Sequence, residues 1–263
     1  MLHGVIDSPV SSVCRTVGCL FEGSSQVPPV VPCKAPILPV SFPAFKPLFA
    51  CETLLLKAQS MVNRVAVNRS LSSYSHVNAI MEEKYYFNCY GFVNHFLKIA
   101  APAAQKELVR TMIELEKKEG IPASFDGIPC PYNIAMTFQR CKLKYWMPID
   151  DMQSVKPGDV MVYLPLEYSP RSSSEDCFDQ QTGTHVMIVQ NVYQEEEGYF
   201  SFSIIDCTRK AHGASDSRYP EHSGIGTSRL YLSHMSENCY ILQWSKKGRQ
   251  HYKRIFVGRL IES

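Results

Sequence analysis

No stretch of about 18 consecutive apolar residues occurs in the sequence, so no helix is expected to span a bilayer. Among its 10 cysteines there is no Cys-x-x-Cys pair and no metal-ligand spacing, so neither a metal nor another cofactor is expected. A strong charge of either sign is lacking as well. The 27 basic and 25 acidic residues leave a formal net charge of +2, which gives no electrostatic case for nucleic acid as a partner. The amino end has no basic segment followed by an apolar core, because Arg15 interrupts the candidate, and no standard secretion signal is read.

What remains is the composition of a globular protein, 45% hydrophobic over 263 residues. Scattered cysteines in a chain of this length are expected to be mostly reduced thiols. Residues 1–50 hold Pro9, Pro28, Pro29, Pro32, Pro36, Pro39, Pro43 and Pro47 and read as an extended or disordered leader, because proline at that density forbids helix. Residues 51–263 read as one domain, expected to be monomeric.

Within that domain the apolar spacing predicts helices over Glu52 to Ser70, from Cys89 through Ala100, over Ala103 to Lys118 and over Asn133 to Cys141. After Trp146 the pattern becomes strand-like. Val160-Met161-Val162-Tyr163-Leu164 follows the turn Lys156-Pro157-Gly158-Asp159, and the two runs from His185 and from Tyr199 are separated by Glu195 to Gly198 as in a hairpin. Further strands are expected near Ser228 to Leu232, Tyr240 to Trp244 and Arg254 to Leu260. Helices first and strands afterwards predict an α+β fold, with the N-terminal helices packed on an antiparallel sheet.

The chemistry centres on Asn88-Cys89-Tyr90-Gly91-Phe92-Val93. A thiol at the start of an amphipathic helix faces the positive end of the helix dipole and its unpaired amides, which favour negative charge on sulfur or on a substrate oxygen. Pairing Gln194 with Tyr199 across the hairpin sets His185 and Asp206 on one face as diagonal neighbours, a face shared with Phe200, Phe202 and Ile204 and expected to pack on the helices. Thiol, imidazole and carboxylate are the parts of a thiol catalytic triad. Taken singly, His185 reads better as a strand-end histidine bonded to backbone, Asp206 as a turn cap and Cys89 as a buried structural thiol; it is the shared face that favours the triad.

Three ordered blocks, Asn88-Cys89-Tyr90-Gly91-Phe92-Val93, Pro157-Gly158-Asp159-Val160 and His185-Val186-Met187-Ile188-Val189, resemble those of the NlpC type of papain-like cysteine peptidases. The likeness extends to bacterial members with Tyr74 and His76 upstream, then Asp206-Cys207-Thr208, His212-Gly213 and Asp216-Ser217-Arg218. It covers about Ser70 to Leu232. The resemblance implies a papain-like α+β fold, with Cys89 as nucleophile, His185 as base and Asp206 as third member. It also implies an amide or peptide substrate, peptidoglycan or a protein. Asn88 and Tyr90 depart from the usual aspartate and serine, and a bulky Tyr90 is expected to narrow the cleft.

Tyr74 reads either as an oxyanion donor, as in similar enzymes, or as a half-buried tyrosine with a satisfied hydroxyl. His212, Asp216 and Arg218 read as framing the cleft, with a structural ion pair of Asp216 and Arg218 as the alternative. Lys246, Lys247, Arg249, Lys253 and Arg254 read as a solvated face or as a surface for an anionic partner. Hydrolysis is the leading expectation; acyl transfer, deamidation and a non-catalytic binding module stay open beside it.

Overall fold

Helices form where the apolar positions recur at helical spacing. Helix α1, Ala50–Val67, buries Leu54, Ala58, Met61, Val62 and Val65 along one stripe. Helix α2, Cys89–Ala100, begins where the Asn88 side chain accepts a hydrogen bond from Gly91 N at 2.7 Å. Helix α3, Pro102–Glu119, opens on proline and stops at Gly120, whose φ of 65° ends the helix in the left-handed region. Helix α4 is Pro131–Arg140. The computed structural model describes residues 49–121, 127–167, 183–196 and 198–261. The expected proline-rich leader therefore lies almost wholly outside the described residues, as does most of the expected polar loop from Glu167 to Gly183. No helix of the described residues is long and apolar enough to cross a membrane.

Two sheets follow. Strands β1 (Ser72–Tyr74), β2 (Ala79–Met81) and β3 (Lys84–Phe87) make a small sheet just ahead of α2, with β3 between a parallel β1 and an antiparallel β2. The second sheet contains β4 (Trp146–Ile149), β5 (Val160–Pro165), β6 (His185–Glu196), β7 (Tyr199–Thr208), β8 (Gly224–Ser236), β9 (Cys239–Gln243) and β10 (His251–Leu260). Strand β10 pairs with β5 along Lys253 to Gly258 and with β9 along His251 to Arg254, which closes β5 through β10 into a six-stranded antiparallel barrel. Strand β4 extends it outside β10.

The closure corrects the expected architecture. Helices packed on one side of an antiparallel sheet, the papain-like arrangement, would leave the far side of the sheet open, whereas here that side is the barrel interior. Met161, Met187, Val189, Phe202, Ile204, Leu230, Leu232, Leu242, Ile255 and Val257 form one buried cluster inside the barrel. Val160, Val162, Val186, Ile188, Ile205 and Phe256, on the opposite faces of the same strands, join the core of the helices. The wall is thus buried on both sides, which is why Val160-Met161-Val162-Tyr163-Leu164 is apolar throughout instead of alternating.

The face assignment is corrected with it. Phe200, Phe202 and Ile204 point into the barrel, and the face of β7 that meets the helices carries Ile205 and Cys207.

Candidate active site

The hairpin that carries the site is held in register by two compensating irregularities. Its outer end pairs Glu196 with Tyr199, a tighter turn than expected, and extra residues at Glu195 and Gln190 shift the ladder twice before Ile188 meets Ile205. Continued toward the barrel mouth, that register leaves His185 and Asp206 diagonal on the lumen face. Their side chains meet there, His185 Nε2 to Asp206 Oδ2 at 2.5 Å.

Asp206 Oδ2 also accepts from His212 Nε2 at 2.9 Å. Its other oxygen, Oδ1, lies 2.6 Å from Arg218 Nη2. The same guanidinium grips Asp216 with Nε to Oδ1 at 2.7 Å and Nη2 to Oδ2 at 2.8 Å, and donates from Nη1 to the carbonyls of Asp206 and Gly224. Asp216 in turn fixes the loop by accepting from His212 N at 2.8 Å. His212 lies flat on Trp244, ring centroids 3.6 Å apart and 4° from parallel. Of the two readings of Asp216 and Arg218, the ion pair exists and also touches Asp206.

Cys89 enters from the helical side. Its thiol is a hydrogen-bond partner of the His185 ring, and because Nε2 is engaged by Asp206, Nδ1 is the nitrogen left for sulfur. Cys89 and His185 are each 5% exposed and Asp206 is fully buried. Burial alone would lower the His185 pKa, but negative charge at Cys89 and the bond to Asp206 outweigh it, and the imidazolium is favoured. Burial likewise opposes ionisation of Asp206. The Arg218 guanidinium and the two imidazoles prevail, holding the carboxyl well below the usual range.

The small sheet positions the thiol. Phe87 O accepts from Ser75 N at 2.9 Å and from the buried Cys207 Sγ at 2.9 Å, so the turn into α2 is tied both to β1 and to β7. Asn88 is fully buried, and its amide reaches His76 Nδ1 at 3.2 Å. Here an asparagine caps the helix as well as an aspartate would, without placing a second negative charge beside the sulfur. Asn78 Oδ1 accepts from Asn88 N at 3.0 Å. A Cβ at Gly91 would fall 1.8 Å from that oxygen, so glycine is required where Asn78 crosses the helix start.

Tyr74 is half-buried near the sulfur. Burial, and then the thiol groups of Cys89 and Cys207, push its pKa up, so the phenol stays a donor. Tyr90 is buried in the core shared with the helices, where its bulk is packing, contrary to the expectation that it narrows a cleft.

The chain matches no known family profile, no curated protein and no solved structure.

Among the described residues, His185, Asp206 and His212 also offer three potential ligand atoms within 4.8 Å of one another. A guanidinium 2.6 Å from the same carboxylate opposes a dication there, so the cluster is better suited to holding a proton than a metal. Sequence reasoning missed Asn78, Tyr163 and Trp244. Tyr163 pairs directly with His185 across β5 and β6, ring centroids 5.7 Å apart, and the two-residue alternation that puts Met161, Tyr163, His185 and Met187 on one face was the available signal.

Proposed function

We propose that this protein is a thiol hydrolase that cleaves an amide or peptide bond through an acyl-enzyme on Cys89. The observation that carries the reading is the single chain of contacts from the Cys89 thiol to the His185 ring to the Asp206 carboxylate, at the mouth of the barrel and the start of a helix. His185 takes the thiol proton as sulfur attacks the carbonyl carbon. The oxygen then gains negative charge beside the α2 N-terminus and the Tyr74 hydroxyl, both of which stabilise it. The imidazolium returns the proton to the leaving amine, and water, deprotonated by the same ring, releases the acyl group and restores the thiol. Asp206 holds the ring and offsets its charge in each half-reaction. The ordered blocks that resemble NlpC-type peptidases support this chemistry; their architecture is not part of the reading.

The near-complete burial of Cys89 and His185 limits water at the sulfur and favours a second reading, in which an amine or hydroxyl acceptor resolves the acyl-enzyme. Both are tested by incubating the protein with a pool of defined peptides and following products by mass spectrometry. Hydrolysis predicts new carboxyl termini that vanish with Cys89→Ala, transfer predicts acyl adducts of the acceptor, and turnover that survives Cys89→Ala overturns both.

A further inference from the structure

Lys253 stands on the lumen face of β10, two residues before Ile255 and four before Val257, which line the barrel interior. At that position its side chain reaches the same mouth as the candidate site. Its ammonium donates to Gly183 O at 2.8 Å, two residues before His185, and lies 5.3 Å from the centre of the Tyr163 ring, which is itself next to His185. The fit is close: a Cβ at Gly183, where φ is +97°, would come within 3.1 Å of Nζ.

No carboxylate accompanies this half-buried ammonium among the described residues, and burial alone shifts it toward the neutral form. An ammonium has three N–H donors, and one is used by a neutral carbonyl. The neighbouring cations add to it. Arg249 and Lys253 both act electrostatically on His251, near the β9–β10 turn, and Arg209 acts electrostatically on Tyr74. The acidic groups of the site do not cancel these charges, because Asp206 and Asp216 are turned inward onto Arg218 and the imidazoles.

We infer that Lys253 makes this site selective for substrates that carry a carboxylate or comparable anion beside the bond Cys89 attacks. The inference rests on the assignment of Cys89 as nucleophile. An ammonium at a partly dehydrated mouth, with a neutral carbonyl as its hydrogen-bond acceptor among the described residues, would hold such a group more firmly than an exposed lysine could, and would draw anionic substrates in preference to neutral ones.

Iodoacetate and iodoacetamide deliver the same alkyl transfer with and without a negative charge, so their rates at Cys89 in the full chain, followed by mass spectrometry, read the selectivity directly. The ratio of iodoacetate to iodoacetamide rates is expected to fall about fourfold in Lys253→Met, the size of effect one nearby charge exerts. It is expected to persist in Lys253→Arg and, in the wild type, to fall as salt is raised from about 0.01 M to about 1 M. Equal ratios in the wild type and Lys253→Met, with Cys89 labelled by both reagents, overturn the selectivity alone. A Cys89 that neither reagent labels overturns the nucleophile assignment and the selectivity together.

Discussion

Asp159 and Asp206 are both fully buried beside the barrel wall, and each faces an arginine. Asp159 receives Arg259 in a fork, Nε to Oδ1 and Nη2 to Oδ2, both at 2.8 Å, and closes the turn before β5 by accepting from Lys156 N. One carboxylate meets one guanidinium; the Cys51 thiol is within electrostatic reach of both, but among the described hydrogen-bond partners of Asp159 there is no imidazole to link it to a thiol. At Asp206 one guanidinium is divided between two carboxylates, and the carboxylate oxygen left over takes two imidazoles, one of which meets a thiol. A balanced pair fixes a loop. An arginine shared by two acids leaves negative charge available to a histidine, which is what a base next to a nucleophile needs.

The largest separation between the two clusters is expected from removing their arginines. Arg218→Met strands two buried carboxylates and should cost roughly 3–5 kcal/mol in urea denaturation, with loss of Cys89 alkylation as the His185 support rearranges. Arg259→Met, at a partly exposed guanidinium, should cost about 2 kcal/mol and leave Cys89 alkylation where it was. If both variants slow the thiol equally, the two clusters are not functionally distinct.

A smaller effect, of the order of 1 kcal/mol, is expected from pH. The native Asp206 pKa is depressed, so its stabilising contribution is complete above its unfolded value of about 4 and fades as pH falls through the native value. The native His185 pKa is raised, so its contribution is complete below about 6.5 and fades as pH rises through the native value. Urea midpoints of wild type and Asp206→Asn should therefore converge toward strong acid and stay apart above about pH 4. A gap that widens on acidification would reverse the assignment of charge.

How much of this was legible in the sequence differs from element to element. Cys89 at a helix start could be read because Asn88 caps locally and Phe92, Val93, Phe96 and Leu97 repeat at helical spacing. The diagonal of His185 and Asp206 was legible as well, although the turn is tighter than read and the shifts at Gln190 and Glu195 restore the ladder. Barrel closure was not, because β10, after its local hairpin with β9, also meets β5 through pairings whose partners lie far apart along the chain, with no turn residue to announce them. The wrong face was assigned to Phe202 and Ile204 for a related reason: both sides of the wall are apolar, so hydrophobicity cannot tell lumen from helix side. The role of Arg218 was half visible, since its pairing with Asp216 is local while its grip on Asp206 depends on β7 and β8 lying side by side.

The central claim is that His185 and Asp206 activate Cys89 despite its burial. Alkylation rates of individual cysteines, measured by mass spectrometry near neutral pH, test it most directly, because Cys51, Cys141 and Cys239 are free and more exposed than Cys89. The account predicts that Cys89 reacts first in the wild type and falls behind those three in His185→Ala. A Cys89 that reacts no faster than Cys141, or at the same rate with and without His185, would contradict it.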